Sequence, residues 1–223
     1  MTIPRDSAPP TTTVVLGSAS PARFRVLTGA GLRPTVVVSD VDEDALLDDL
    51  TGAPHADVVT RLAEAKADAV TAAVLAGAAP GGEADCVILT CDSMLLTGGV
   101  LAGKPHTGEV AVARWKQMRG TVGHLITGHC VRRVTDGAVA ASVSRSETTA
   151  IRFSDAPDHV IASYAATGEP LEVAGAFTLD GLGGWLIDGI DGDPSSVLGI
   201  SLPLVRRLLA DVGVCVTDLW QAP

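Results

Sequence analysis

A short strand, a polar turn and a helix start form the part of the chain best suited to binding an anion. Residues 14–16 are an apolar run that predicts a buried strand, and the run stops at Gly17. Ser20 is a favourable N-cap, because its hydroxyl can accept a hydrogen bond from the first helical turn, and Pro21 suits the first helical position. The free N–H groups and the helix dipole at such a terminus favour a phosphate group.

Basic side chains close to this turn agree with a phosphate site. Arg23 and Arg25 lie in the first turns of the predicted helix, where either guanidinium could donate a pair of hydrogen bonds to phosphate oxygens. The segment has neither the Gly-Lys-Ser/Thr of a P-loop nor the spaced glycines of a dinucleotide-binding fold. A capped helix without a ligand therefore remains the competing interpretation of these residues taken alone.

Acidic side chains follow two of the predicted strands. Asp92 comes directly after the apolar run 87–91, so we expect it at the carboxyl end of a buried strand, where α/β proteins often place their sites. An Asp at this position can hold a metal or orient water, and it can equally cap the next turn. Asp42 and Glu43 follow the apolar run 36–38, in what the sequence predicts to be a solvated acidic loop.

Two lysines extend the set of residues suited to phosphate chemistry. Lys66 lies on a long predicted helix, where most lysines face solvent. Lys104 precedes Pro105, which makes its loop rigid, and a lysine fixed in a loop is a slightly better ligand candidate than one on a helix. Ser18 and Ser20 have no recognisable histidine partner in the sequence, so the residues do not indicate a covalent nucleophile.

Strands and helices alternate in the first half of the chain, and long strands dominate the middle. The predicted strands are 12–16, 35–39, 86–90, 124–134, 142–153, 184–190 and 214–217, and the predicted helices are 21–30, 56–75, 108–118, 157–166 and 200–210. This order predicts an α/β fold with a mixed β-sheet and flanking helices.

Composition and charge limit the class of protein. The chain has 223 residues, 47% of them hydrophobic and only 3% aromatic, so we expect a sizeable core built from Val, Leu, Ile and Ala. The formal net charge of −10 disfavours nucleic acid and anionic membranes as partners. Four cysteines form no C-x-x-C pair and no histidine pair has zinc-ligand spacing, which favours reduced, buried thiols.

The start of the chain carries no recognisable targeting signal. Residues 1–12 are polar and rich in Pro and Thr, and they lack the apolar core of a signal peptide. No stretch reaches the roughly 18 apolar residues that a membrane span needs. We therefore predict a disordered leader at 1–12, a single domain at 13–223 and a cytoplasmic location.

The motifs form an ordered series along almost the whole chain. The series is S-A-S-P-x-R, V-D-E, L-A-x-x-K-A, C-D-S, G-K-P and A-G-A-F followed by D-G-L-G-G, and late G-E-P and G-I-S-L-P segments belong to it too. Their order and spacing, from residue 14 to residue 209, resemble the Maf family of nucleoside triphosphate pyrophosphatases, also called septum formation inhibitors.

The resemblance implies a fold, a reaction and a set of site residues. The fold would be mixed α/β with two lobes around a central cleft. The reaction would convert a nucleoside triphosphate and water to the monophosphate and pyrophosphate with a divalent metal, Mg²⁺ or Mn²⁺, as cofactor, for removal of non-standard or surplus nucleotides. By position, Asp92 would be the catalytic acidic residue, as metal ligand or base, and Glu43 would assist the metal. The residues implied to bind substrate are Ser18, Ser20, Arg23, Lys66, Lys104 and Asp180.

Departures from the family pattern leave alternatives open. Ala22 replaces the first of two arginines found in many members, and Asp180 places an acid where an amide is common. The turn at 193–196 also lacks the usual aromatic residue. A nucleotide-binding regulator with little or no turnover is the alternative function, and a nucleotidyltransferase is a third. The preferred base and the oligomeric state, a homodimer among the options, stay open.

Overall fold

The computed structural model describes residues 12–221, so the predicted leader lies outside the described residues except for Thr12. Its strands are β1 (Thr13–Leu16), β2 (Thr35–Val36), β3 (Asp85–Thr97), β4 (Val100–Ala102), β5 (Val122–Thr135), β6 (Ala138–Phe153) and β7 (Ile187–Asp191). Its α-helices are α1 (Pro21–Gly29), α2 (Glu43–Asp49), α3 (His55–Leu75), α4 (Gly108–Met118), α5 (Asp158–Ala166), α6 (Pro194–Val197) and α7 (Leu202–Asp211).

Hydrogen bonding links the strands in the order β2-β1-β3-β5-β6-β7, and β4 pairs with β3. β1 runs parallel to β2 and to β3, whereas β3 with β4 and β6 with β7 are antiparallel. The mixed α/β class predicted from the order of elements is therefore confirmed. Within the described range, no helix has the length and apolar character that crossing a membrane requires.

The chain forms two compact units. The first unit comprises the described residues up to Asp92, Gly128–Ser146, and the described residues from Leu202 onward. The second unit comprises Ser93–Thr127 and Glu147–Ser201.

The core of the first unit places α3 directly against a strand. A Cβ atom on Gly128 of β5 would lie 2.1 Å from the carbonyl oxygen of Val59, so only glycine allows this approach. Thr90 of β3 adds a hydrogen bond, since its hydroxyl donates to the carbonyl oxygen of Ala63 over 2.7 Å. These contacts fix the position of α3 and of every side chain that the helix carries.

The second unit has a core of a different composition. The Trp115 ring makes edge-to-face contacts with Phe153 and Tyr164 at centroid distances of 5.5 and 5.7 Å, and Phe153 contacts Phe177 in the same way at 5.3 Å. The Trp115 indole N–H donates to the carbonyl oxygen of Ala176 over 2.7 Å. Four of the seven aromatic residues therefore pack together in this core, where the composition alone predicted an aliphatic core throughout.

The predicted end of β3 is wrong. The strand continues to Thr97, so Asp92 lies inside it rather than at its carboxyl end. Gly98 and Gly99 have φ values of 56° and 79°, and this pair of positive values makes the tight turn into β4, an element that the sequence analysis missed. The Gly-Gly pair was the available signal for the hairpin.

The predicted strand at 214–217 is also wrong. The N–H of Val214 donates to the carbonyl oxygen of Leu209 over 2.8 Å and the N–H of Gly213 to that of Ala210 over 3.0 Å, with Gly213 at a φ of 76°. This pattern is a Schellman cap on α7. Val214 is buried at this cap, and because it is apolar it looks in the sequence like a residue of a buried strand.

Candidate active site

The turn after β1 is held close to the sheet. The N–H of Gly17 donates to the carbonyl oxygen of Leu89 over 2.8 Å, and a Cβ atom at Gly17 would lie only 2.5 Å from Cγ2 of Thr90. The Ser20 hydroxyl accepts the backbone N–H of Arg23 over 3.4 Å, and Pro21 begins α1, so the predicted N-cap is confirmed. The structure therefore presents a helix N-terminus at the end of a buried strand.

Ser18 orients one of the two candidate arginines. Its buried hydroxyl oxygen accepts hydrogen bonds from the backbone N–H of Ser20 over 3.2 Å and from Nη1 of Arg23 over 3.1 Å. Arg23 is half-buried, whereas Arg25 is exposed. The charge of Arg23 also lowers the pKa of Asp92, so the guanidinium acts on the same site as that carboxylate.

Lys66 joins two carboxylates that are far apart in the sequence. Its Nζ lies 2.5 Å from Oδ1 of Asp92 and 2.9 Å from Oε1 of Glu43. Lys66 and Asp92 are each only 8% exposed, whereas the Glu43 side chain is 49% exposed. The cluster therefore runs from a buried carboxylate, through an ammonium, to a carboxylate that reaches solvent.

Local structure explains how these side chains meet. Lys66 lies one helical turn after Leu62 and one before Val70, on the buried face of α3, so it faces the sheet. Glu43 is the first residue of α2, whose N-cap Asp42 accepts the N–H of Ala45 over 3.0 Å. The predicted solvated loop at this position is therefore wrong, because Asp42 starts a helix there.

Burial sets the acidity of the central carboxylate. Removal from water raises the pKa of Asp92 above the ordinary value for Asp; the charges of Lys66 and Arg23 offset part of this rise, and Glu43 adds to it. A carboxylate with a raised pKa is a better acceptor of a proton from water than an ordinary aspartate. The adjacent Cys91 is fully buried, and burial raises the pKa of its thiol to about 11, which keeps it protonated and unreactive.

The other two sequence-predicted residues, Lys104 and Asp180, belong to the second unit. Lys104 follows β4, and its Nζ lies 3.9 Å from Oε2 of Glu172. The segment is secured by Arg114, whose Nη1 donates to the carbonyl oxygen of Gly103 over 2.6 Å. Asp180 is exposed, on the turn that precedes the 3₁₀ helix Leu182–Leu186.

Glu169 holds that turn in place. In the sequence it stands out only as part of the G-E-P motif, which predicts no role for its side chain. Its carboxylate accepts the hydroxyl of Thr178 and, over 3.0 and 2.9 Å, the N–H groups of Leu182 and Gly183. Burial by itself would raise the pKa of Glu169, but these hydrogen bonds outweigh it and hold the pKa below its usual value. The donors come from residues 9 to 14 positions further along the chain, a distance that no local pattern indicates.

Replacing Glu169 with Gln is expected to reduce the free energy of unfolding at pH 7 by about 1–2 kcal/mol, because charge-assisted hydrogen bonds to the turn are lost. A lowered carboxylate pKa contributes stability that is present above the unfolded value, about 4.3, and disappears as the pH falls through the folded value. The difference between variant and wild type should therefore shrink below about pH 4. Urea unfolding of both proteins at pH 7 and at acid pH tests this, and a constant difference contradicts it.

If the triphosphate implied by the family resemblance binds at the start of α1, Arg23→Ala should lower kcat/KM on the best triphosphate about ten- to a hundredfold, since a charge-assisted hydrogen bond contributes about 1.5–3 kcal/mol. Ala22 offers no second guanidinium at the neighbouring position. The matched control is Arg25→Ala, which removes the same charge from an exposed position of the same helix. If Arg25→Ala is damaging and Arg23→Ala is silent, the assignment of the arginine is wrong.

Comparison with known proteins decides the family. The sequence model described as Maf-like protein matches residues 13–212. This chain belongs to the Maf family. The prediction from the ordered motifs is therefore confirmed.

Relatives of this Maf-family chain match over nearly their full length. A protein of Nocardia farcinica named nucleoside triphosphate pyrophosphatase is 57% identical over 214 residues, which cover 96% of this chain and 99% of the relative. A protein of the same name from Rhodococcus opacus is 55% identical over 210 residues, covering 94% and 96%. Another of that name, from Mycolicibacterium gilvum, is 52% identical over 210 residues, covering 94% and 99%.

Proposed function

We propose that this chain hydrolyses nucleoside triphosphates to the nucleoside monophosphate and pyrophosphate. The observation that carries the proposal is the Lys66 ammonium held between the carboxylates of Asp92 and Glu43. An arginine that Ser18 orients, Arg23, also acts on Asp92 through its charge. Relatives more than half identical over nearly the whole chain carry the name of this activity, which supports the same proposal. Its role in the cell would be the removal of non-standard or surplus nucleotides.

The phosphate end of the substrate would bind to the start of α1. A triphosphate carries about four negative charges near neutral pH, so its site must supply cations and N–H donors. Arg23, the hydroxyls of Ser18 and Ser20 and the positive end of the α1 dipole have these properties, in a chain whose net charge is −10. Lys66 adds a buried positive charge next to the catalytic carboxylate.

The reaction needs an oriented water more than it needs a covalent nucleophile. The water oxygen forms a bond to the α-phosphorus, the bond from that phosphorus to the bridging oxygen breaks, and pyrophosphate leaves with the electron pair. Asp92 is the group suited to accept the proton of the water, since burial has raised its pKa. Lys66 and Arg23 stabilise the negative charge that accumulates on the phosphate oxygens.

The donor set fits a divalent metal that arrives with its substrate. Two carboxylates, those of Asp92 and Glu43, converge on one cation, the Lys66 ammonium. Across residues 12–221, no group of three or more His, Cys, Asp and Glu side chains could hold a metal by itself. Mg²⁺ is commonly bound by one or two carboxylates together with water and substrate phosphates, and Mn²⁺ accepts the same oxygen ligands. Bound there, such an ion would neutralise phosphate charge and orient the water.

Lys104 and Asp180 are proposed as further substrate contacts, Lys104 with phosphate and Asp180 with the base. The proposal follows their match to the family motifs and the chemistry of their side chains. An ammonium suits a phosphate oxygen, and a carboxylate suits a donor group on a base edge. The acid at position 180 therefore predicts a base preference that differs from that of relatives with an amide there.

A turnover screen tests the proposed function. The purified chain is incubated with each of the common ribo- and deoxyribonucleoside triphosphates and with modified ones, in the presence of Mg²⁺ or Mn²⁺, and both products are quantified. We expect equal amounts of monophosphate and pyrophosphate. Tight nucleotide binding without turnover would instead indicate a regulator, and transfer of the nucleotidyl group to an acceptor would indicate a nucleotidyltransferase.

A further inference from the structure

In the second unit, the Glu169 carboxylate accepts hydrogen bonds from both ends of a turn further along the chain. We call residues 178–183 the Asp180 turn. At its start the Thr178 hydroxyl donates to Oε1 of Glu169, and at its end the N–H groups of Leu182 and Gly183 donate to Oε2 and Oε1. The same side chain therefore holds both ends of the turn, and Asp180 lies between them.

The fit around this carboxylate leaves little room for the turn to move. A Cβ atom on Gly181 would lie 2.8 Å from the carboxyl carbon of Glu169, and one on Gly183 would lie 2.5 Å from the hydroxyl oxygen of Tyr164. The Tyr164 hydroxyl in turn accepts a hydrogen bond from the N–H of Thr178 over 3.2 Å. The two glycines let the backbone lie against these side chains, and the position of Asp180 depends on them.

We propose that Glu169 is a positioning residue for base selection, because it holds the Asp180 turn and so fixes where the Asp180 carboxylate lies. The inference rests on the proposed function. A carboxylate accepts hydrogen bonds and cannot donate them, so it favours a base edge with an amino group over one with a carbonyl. Cytosine has an amino group at position 4, where uracil has a carbonyl oxygen. The natural readout is therefore kcat/KM for cytidine triphosphate divided by kcat/KM for uridine triphosphate.

The test compares kcat/KM for cytidine triphosphate, uridine triphosphate and methyl triphosphate, which has no base. Wild type is expected to prefer cytidine triphosphate. Glu169→Gln, which keeps the shape but loses charge and acceptor capacity, should reduce that preference at least about tenfold and leave methyl triphosphate turnover within about twofold. Glu169→Asp, with a shorter side chain, should retain part of the preference. The matched control is Glu109→Gln, at an exposed position of α4 in the same unit, which should change none of these values.

A double-variant comparison separates positioning from a general structural role. In an Asp180→Ala background, Glu169→Gln should leave the base preference unchanged, because its effect passes through the carboxylate that has been removed. A further change in that background, an unchanged preference in Glu169→Gln alone, or a wild type that does not discriminate overturns the inference. If Glu169→Gln does not fold, Thr178→Val removes one donor to the same carboxylate and should shift the preference in the same direction.

The two levels of the proposal fail in different ways. A wild-type chain that releases pyrophosphate from no nucleotide, methyl triphosphate included, overturns the proposed function and this inference with it. A wild type that is active, with base preferences that ignore Glu169, overturns the inference alone.

Discussion

Asp92→Asn is expected to lower the rate of pyrophosphate release by about a hundred- to ten-thousandfold while the fold survives. General base catalysis by a positioned side chain contributes a factor of this size, and an amide neither accepts the proton of a water nor provides the charge that a metal needs. Asp92 has the raised pKa that suits the role, because it is buried. The fold should persist because Lys66 keeps its contact with Glu43 at 2.9 Å.

The matched control for this variant is Asp85→Asn. Asp85 lies on the same strand and also pairs with a basic residue, since its Oδ1 is 2.9 Å from Nη2 of Arg133, but it has no contact with Lys66 in the described structure. Its replacement should leave the rate within a few fold of wild type. Thermal melting of both variants shows whether the fold is intact, and a wild-type rate in Asp92→Asn would show that the catalytic assignment is wrong.

Removal of divalent metal is expected to have an effect of similar size. A chelator in excess should lower turnover at least about a hundredfold, since charge stabilisation by a bound metal contributes several kcal/mol at a transferring phosphoryl group. Mg²⁺ or Mn²⁺ added beyond the chelator should restore the rate. We expect this metal dependence because the carboxylates of Asp92 and Glu43 are hard oxygen ligands that both lie next to the Lys66 ammonium.

The design of the metal experiment must separate loss of the ion from loss of the fold. Circular dichroism and the melting temperature should be the same with and without chelator, because residues 12–221 contain no group of three or more His, Cys, Asp and Glu side chains placed to hold a structural metal. Glu43→Gln should raise the metal concentration needed for half-maximal rate, whereas Asp44→Asn, one position further along α2, should not. Full turnover in excess chelator would show that this part of the mechanism is wrong.

Local patterns were enough to predict the start of α1 and the order of most elements. Ser20 and Pro21 act as N-cap and first helical residue in the structure, as their side-chain chemistry predicts. The burial of Lys66 could also have been found from the sequence, because it lies on the same helical face as Leu62 and Val70. Periodicity predicted the apolar face, and only the general preference of lysine for solvent argued against it.

Other features could not be predicted, because they depend on contacts between distant parts of the chain. Nothing near Asp92 in the sequence indicates that a residue 26 positions earlier will supply its ion-pair partner. The helix that begins at Glu43 looked like an acidic loop, since α2 buries none of its residues and so has no apolar signal. The close approach of α3 to Gly128 likewise appears only when the strand and the helix are packed together.

Hydrolysis in ¹⁸O-labelled water, followed by mass spectrometry of both products, is the most direct test of the proposed reaction. It shows whether this Maf-family chain directs water to the α-phosphorus of a nucleoside triphosphate. If water attacks there, the label must appear in the nucleoside monophosphate and the pyrophosphate must be unlabelled. Label in the pyrophosphate would place the attack on the β-phosphorus. Release of a nucleoside diphosphate with orthophosphate, or no release at all, would contradict the proposed reaction.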